Sequence, residues 1–257
     1  MSLGGLWRSV PQTVGIIGLG KLGSAIGLRL KERGFRVVGS VKTHKSLERA
    51  RSFGLEAYLD SWAVVSKSDL VILSVKPRDF PKIAIKTEKP VISFMAGVPL
   101  SSLSQTSPRP FRAMTNLALT AVAVSGEYDE SIHNFLKELS PKVYWVDESL
   151  LDPLTVVLGS GPAIVAELMR QLTRAAVNVG VPWEVAEEII GGLFAATPRL
   201  VEGGGVEELV RRVATPGGTT IRALVEMSSL EATLARSIEG AVERARLIAE
   251  GLKRGVK

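Results

Sequence analysis

Short apolar runs alternate with helical patterns over the first half of the chain, and helical patterns alone fill the second half. Val14-Gly15-Ile16-Ile17 reads as a strand, and Ser24 to Arg33 as a helix. Phe35 to Ser40 reads as a second strand and Ser46 to Phe53 as a second helix. Asp69 to Val75 and Pro90 to Ala96 are continuous apolar runs, the mark of strands buried on both faces of a parallel sheet. Phe111 to Met114, Ala121 to Val124 and Val143 to Val146 predict shorter strands, with a helix over Glu130 to Leu139 between the last two. From Asp147 onward the strand pattern stops. Three stripes keep a helical period instead: Ile164, Leu168, Leu172, Ala175 and Val179; Val185, Ile189, Leu193 and Ala196; and Leu234, Ile238, Ala241, Ala245 and Ile248. Gly180 and Pro182 separate the first two, Pro198 kinks or ends the second, and Gly203-Gly204-Gly205 is a flexible break. The expected fold is α/β. A doubly wound Rossmann-type domain spans residues 1–147, and an all-helical domain spans 148–257. Long apolar stripes joined by few loops imply that some of them meet a second subunit.

The chemistry begins where the first strand ends. Gly18, Gly20 and Gly23 fit G-x-G-x-x-G and join a β-branched run to a helix, which is the context of a dinucleotide site. The first glycine permits the turn, the second lets a pyrophosphate approach, and the third lets helix and strand pack closely. The amides of Lys21, Leu22 and Gly23 stand at the helix N-terminus, where free N–H groups attract an anion. Ser40 lies 22 positions after Gly18, where an NAD site usually carries Asp or Glu. Ser40, Lys42 and their basic neighbours instead suit a 2′-phosphate. The expected cofactor is therefore NADP(H), with NAD(H) as the alternative. A solvated basic turn is the bland reading of the same residues.

Ligands gather at the carboxyl ends of strands in such sheets. Val75-Lys76-Pro77 and Ala96-Gly97 stand at two of those ends. Asn116 stands at a third, either bonding the cofactor or serving as a turn residue. In the helical half, Gly159-Ser160-Gly161-Pro162-Ala163 and Thr215-Pro216-Gly217-Gly218-Thr219-Thr220 each read as a loop before a helix, offering unpaired amides and hydroxyls to a carboxylate. Thr219 or Thr220 as a plain N-cap is the alternative.

Composition narrows the chemistry. The 257 residues carry 32 Lys and Arg against 26 Asp and Glu, a net charge of +6. No basic run or aromatic-basic repeat suggests a nucleic-acid surface, while the positive balance favours an anionic cofactor and an acidic small-molecule substrate. The absence of cysteine removes disulfides, thiolate catalysis and Cys metal sites, and no metal is expected. Met1 to Gln12 lacks the apolar core of a secretory leader, and no stretch of about 18 apolar residues is read as a membrane span, so the expected place is the cytoplasm. The two histidines are His44, at the adenosine end, and His133, expected on the surface of its helix. The helical domain has none. Oxidising an alcohol needs a base for the hydroxyl proton, whereas a C=N substrate binds already protonated and needs orientation and a hydrogen-bond donor. That points to an imine as the reducible group.

Together these motifs resemble the pyrroline-5-carboxylate reductase family, from about Val14 to Ile248. The residues carrying the resemblance are Gly18 to Gly23, Val75-Lys76-Pro77, Met95-Ala96-Gly97, Gly159 to Ala163 and Thr215 to Thr220. It implies reduction of L-1-pyrroline-5-carboxylate to L-proline with NAD(P)H, the last step of proline biosynthesis. It also implies that Thr215, Gly217, Gly218, Thr219 and Thr220 grip the substrate carboxylate, with Thr220 as hydrogen-bond partner of the ring nitrogen. Helical domains that interlock as homodimers, and further as decamers, are implied as well. The chain departs from the family at Met114-Thr115-Asn116-Leu117-Ala118, where the family usually carries Met-Pro-Asn and a further proline, and at Pro198 and Gly203 to Gly205. A β-hydroxyacid dehydrogenase would need Lys and Asn one turn apart on the helix Ala163 to Val179, which has no Lys and only Asn178, at its far end. A non-catalytic NADP-sensing module would need an empty or blocked second pocket.

Overall fold

A computed structural model describes the backbone of residues 11–253 and the side chains as far as residue 247. The leader expectation rests mainly on residues 1–10, which lie outside the described residues, as does the side chain of Ile248, which closes the last stripe. Eight strands form one sheet: β1 Thr13–Ile17, β2 Arg36–Ser40, β3 Glu56–Tyr58, β4 Leu70–Leu73, β5 Val91–Ser93, β6 Pro110–Thr115, β7 Val122–Ser125 and β8 Val143–Trp145. Their order is β3-β2-β1-β4-β5-β6-β7-β8. Every pairing is parallel except β6 with β7. The doubly wound α/β reading is borne out. The sheet also holds a strand, β3, that the apolar pattern does not mark.

The associated helices are α1 Lys21–Glu32, α2 His44–Ser52, α3 Ser61–Lys67, α4 Leu100–Leu103 and α5 Glu130–Leu139. Successive residues of β4 explain the continuous apolar run. Leu70 and Ile72 join a core with Ile26, Leu30 and Phe135, whereas Val71 and Leu73 join the opposite core with Val64, Val65 and Leu103. The ladder ends at Leu73 and, in β5, at Ser93, so the apolar runs outlast the strands and continue into the loops above them. His133 is half-buried rather than on the surface, because its Nδ1 accepts a hydrogen bond from Trp145 Nε1 at 3.1 Å.

Beyond β8 the described residues are helical: α6 Leu151–Leu154, a π-helical turn Thr155–Ser160, α7 Gly161–Asn178, α8 Trp183–Leu200, α9 Gly205–Val213, α10 Thr219–Glu226 and α11 Leu230–Lys253. The chain divides into two compact units. One runs through Ser160 and resumes at Ala241, and the other is Gly161–Gly240. Within the first, Arg112 of β6 is buried and donates to Asp152 of α6, with Glu148 3.5 Å away. Glu148 also accepts from the Leu100 amide at 2.8 Å, so one buried guanidinium and two carboxylates tie the segment after β8 to the sheet.

Two expectations need correction. Gly159 to Ala163 is not a loop before a helix but part of a helical stretch running from Glu148 to Asn178. Pro162 lacks an N–H and its ring would crowd the carbonyl four residues back, a conflict that a widened π turn relieves. The amides expected to be free at this point are therefore absorbed into the helix. The same stretch is long and apolar enough to cross a membrane by length and composition, which overturns the reading that no such stretch exists. Most of it is exposed in the single chain.

Within Gly161–Gly240, α7 and α8 pack on each other through a few positions, with Thr173, Ala186 and Ile190 buried. Gly180, at φ +96°, turns the chain between them, and Pro198 lies two residues before the end of α8. The apolar stripes stay largely in solvent: Val179 is 77% exposed and Ile189 54%. A monomer rarely leaves that much contiguous apolar helix uncovered.

Candidate active site

The strand order reverses between β1 and β4, and ligands of open α/β sheets bind at such a switch point. A cleft of about 930 Å³ opens there. Gly18 has φ +101°, and a Cβ on it would lie 2.8 Å from the Ser74 carbonyl oxygen. A Cβ on Gly23 would come within 2.1 Å of the Gly18 carbonyl oxygen, so α1 packs against the turn only because this residue lacks a side chain. Gly20 caps α1 without a side-chain hydrogen bond, and a Cβ there would meet no protein atom within 4 Å. The first-turn amides of Lys21, Leu22 and Gly23 have no intrahelical acceptor. Open space above Gly20 beside free amides fits a pyrophosphate.

At the other end of the cleft, the Ser40 carbonyl accepts the amides of Gly18 and Leu19 at 3.1 and 3.0 Å, which anchors the glycine turn to β2. The Ser40 hydroxyl is buried and lies 3.1 Å from Ser61 Oγ. Lys42, Arg49, Lys76 and Arg78 line the cleft with one carboxylate, Asp79, among the described residues. Lys42 Nζ lies 2.6 Å from Asp79 Oδ2, and this hydrogen bond holds the Asp79 carboxyl below the usual carboxylate range. Four cations against one anion suit a ligand bearing extra phosphate.

The structure thus brings Gly18, Gly20, Ser40, Lys42, Val75 and Lys76 together as walls of one cleft. Pro77 opens the 3₁₀ turn beyond Lys76, and Ala96 and Gly97 follow β5; none of them lines that cleft. Asn116 donates to Thr120 Oγ1 at 2.7 Å and accepts from the Thr120 amide at 3.3 Å, so its amide group is taken up by its own turn. Sequence reasoning missed Ser46, Arg49, Ser61, Arg78 and Asp79. Ser46 and Arg49, three apart on α2, carried a detectable signal, since such a pair shares a helix face. Arg78 and Asp79 carried none.

In the helical unit, the Gly218 amide bonds the Thr215 carbonyl at 3.0 Å, and Gly217 takes φ +69°. Gly218 is the N-cap of α10 and Thr219 its first residue. No side chain caps the helix, so the N-cap alternative for Thr219 and Thr220 does not hold.

A glycine cradle at the switch point, with four cations lining the same cleft, is the geometry of a dinucleotide-binding domain. Comparison with known proteins specifies it further. Residues 13–97 match the family model described as NADP oxidoreductase, coenzyme F420-dependent, and residues 148–248 match the pyrroline-5-carboxylate reductase dimerisation model. The chain is similar to the pyrroline-5-carboxylate reductase of Thermus thermophilus, at 32% identity over 91% of this chain and 97% of the relative. It is also similar to that of Arabidopsis thaliana, at 30% identity over 92% and 95%. A crystal structure of 1-pyrroline-5-carboxylate reductase from Streptococcus pyogenes superimposes with a TM-score of 0.82 at 26% identity, covering 91% of this chain and 97% of that one. The chain belongs to the pyrroline-5-carboxylate reductase family. It is an oxidoreductase that uses NADP(H), and its helical part is a dimerisation domain that joins copies of the chain.

Proposed function

We propose that this protein reduces L-1-pyrroline-5-carboxylate to L-proline with NADPH, as the last step of proline biosynthesis. The observation that carries the reading beyond the cofactor is the start of α10. There two threonines follow a Gly-Gly turn, and their hydroxyls cap nothing. In this reading the amides and hydroxyls of Thr215, Gly217, Gly218, Thr219 and Thr220 hold the substrate carboxylate, and Thr220 Oγ1 bonds the ring nitrogen. Gly18, Gly20, Lys21, Leu22 and Gly23 hold the pyrophosphate. Ser40 and Lys42 serve the 2′-phosphate, and Val75, Lys76, Pro77, Ala96, Gly97 and Asn116 form the path toward the nicotinamide. When bound, the reduced nicotinamide supplies a hydride. The protein's task is to orient a protonated C=N group and keep its nitrogen hydrogen-bonded, which needs no strong acid or base.

The functional division in this reading falls at 147/148. It is supported by the dimerisation family model, which begins at residue 148. The exposed apolar faces of α7 and α8 meet a second subunit rather than lipid, homodimers assemble further into decamers, and the enzyme works in the cytoplasm without nucleic-acid partners. The test follows NADPH absorbance with pyrroline-5-carboxylate, with NADH in parallel. Turnover that yields proline is expected, and no turnover with either dinucleotide contradicts the proposal.

A further inference from the structure

The cofactor cleft contains an acid that the usual spacing rule does not reveal. NAD sites take a carboxylate from the end of the second strand to accept the ribose 2′-OH, and here that position is Ser40. Asp79 instead comes from the 3₁₀ turn Pro77–Lys82 beyond β4, its amide fixed on the Lys76 carbonyl at 2.8 Å. Its side chain is only 14% exposed and turns into the cleft, whereas Lys42 is 64% exposed and reaches in to meet it. The carboxylate is thus the fixed member of the pair and the ammonium the movable one. Lys42 is two residues past the end of β2, so the pair stands at the ribose end.

We propose that Asp79 sets the balance between NADPH and NADH: its carboxylate opposes a 2′-phosphate and competes with it for Lys42, while serving as acceptor for an unphosphorylated 2′-OH. The inference rests on reading this cleft as the adenosine site of the cofactor. Both effects have simple physical origins. A phosphate brought beside a carboxylate meets like charge, and it gains Lys42 only by displacing an existing ion pair. A ribose hydroxyl meets an acceptor already ionised and already facing it. Arg49, Arg78 and Lys76 remain to bind the phosphate, so NADP(H) is still accepted.

The test needs no turnover. Calorimetric binding of 2′,5′-ADP and of 5′-AMP is compared in the native protein, Asp79→Asn and Asp79→Ser, with NADPH and NADH binding followed by tryptophan fluorescence. In both variants the affinity for 2′,5′-ADP relative to 5′-AMP is expected to rise by about fivefold, the scale of one partly exposed ion pair. The gain should shrink as salt is raised. If the native protein binds 2′,5′-ADP and the ratio is unchanged or lower in both folded variants, the proposal is overturned while the cleft assignment stands. If neither nucleotide nor dinucleotide binds the native protein, the cleft assignment itself fails and the proposal with it.

Discussion

Alanine at Gly23 is expected to weaken NADPH binding and to destabilise the fold, whereas alanine at Gly20 should weaken binding alone. The atoms that a new methyl group would meet differ completely. At Gly23 the Cβ would fall 2.1 Å from the Gly18 carbonyl oxygen, which is backbone and cannot swing away. Either α1 moves off the sheet or the glycine turn opens. Overpacking of this kind costs about 1–3 kcal/mol, which in a protein of this size lowers Tm by about 2–6 °C. Because α1 carries the amides proposed to hold the pyrophosphate, the same shift should weaken NADPH by about 100-fold or more. At Gly20 the backbone already has φ −78°, and the Cβ would meet no protein atom. Its stability should stay within about 1 kcal/mol of the parent, the cost of an alanine N-cap. The methyl group would occupy the space a pyrophosphate needs, so NADPH affinity should fall about tenfold or more. Thermal denaturation and fluorescence titration of the two variants together check this. Equal NADPH affinity in the native protein and Gly20→Ala would remove the pyrophosphate from that position.

Thr220→Ala carries the second large effect. If Thr220 Oγ1 bonds the ring nitrogen as hydride arrives, its loss should lower kcat by about 100-fold, the usual effect of removing one well-placed donor. NADPH affinity should be unchanged within about twofold, since uniform binding is untouched. The side chain makes no cap hydrogen bond to α10, so the fold has little to lose. Thr220→Ser should restore most of the rate. Steady-state kinetics with separate titration of substrate and cofactor makes the distinction, and an unchanged kcat removes Thr220 from the chemistry.

These expectations also show which features sequence can carry. The glycine turn was readable because its demands are local: Gly18 needs a positive φ and Gly23 needs a missing side chain, and both follow from a few consecutive residues. The strands buried on both faces announced themselves as unbroken apolar runs. β3 and α3 did not, because only Ala57 of Glu56-Ala57-Tyr58 is buried, and α3 is a seven-residue helix burying Val64 and Val65. Gly159 to Pro162 misled for a related reason. Glycine and proline normally punctuate, and only the packed helix shows that a π turn can carry them through. The charge lining the cleft was the hardest part to foresee. Lys42 lies in the basic turn after β2, but Arg78 and Asp79 reach the same cleft from beyond β4 through the parallel pairing of β1 and β4. Spacing rules written for one βαβ unit do not extend to a neighbour supplied by the next strand.

The proposed reaction requires a cyclic imine held by its carboxylate at the start of α10, with its C=N carbon facing a reduced nicotinamide in the homo-oligomer. A crystal structure of the homo-oligomer with NADP⁺ and proline examines this most directly. It should show the proline carboxylate on the amides of the Thr215 to Thr220 turn, its nitrogen at Thr220, and its C5 about 3–3.5 Å from the nicotinamide C4. Proline bound away from that turn, or far from the nicotinamide, would contradict it.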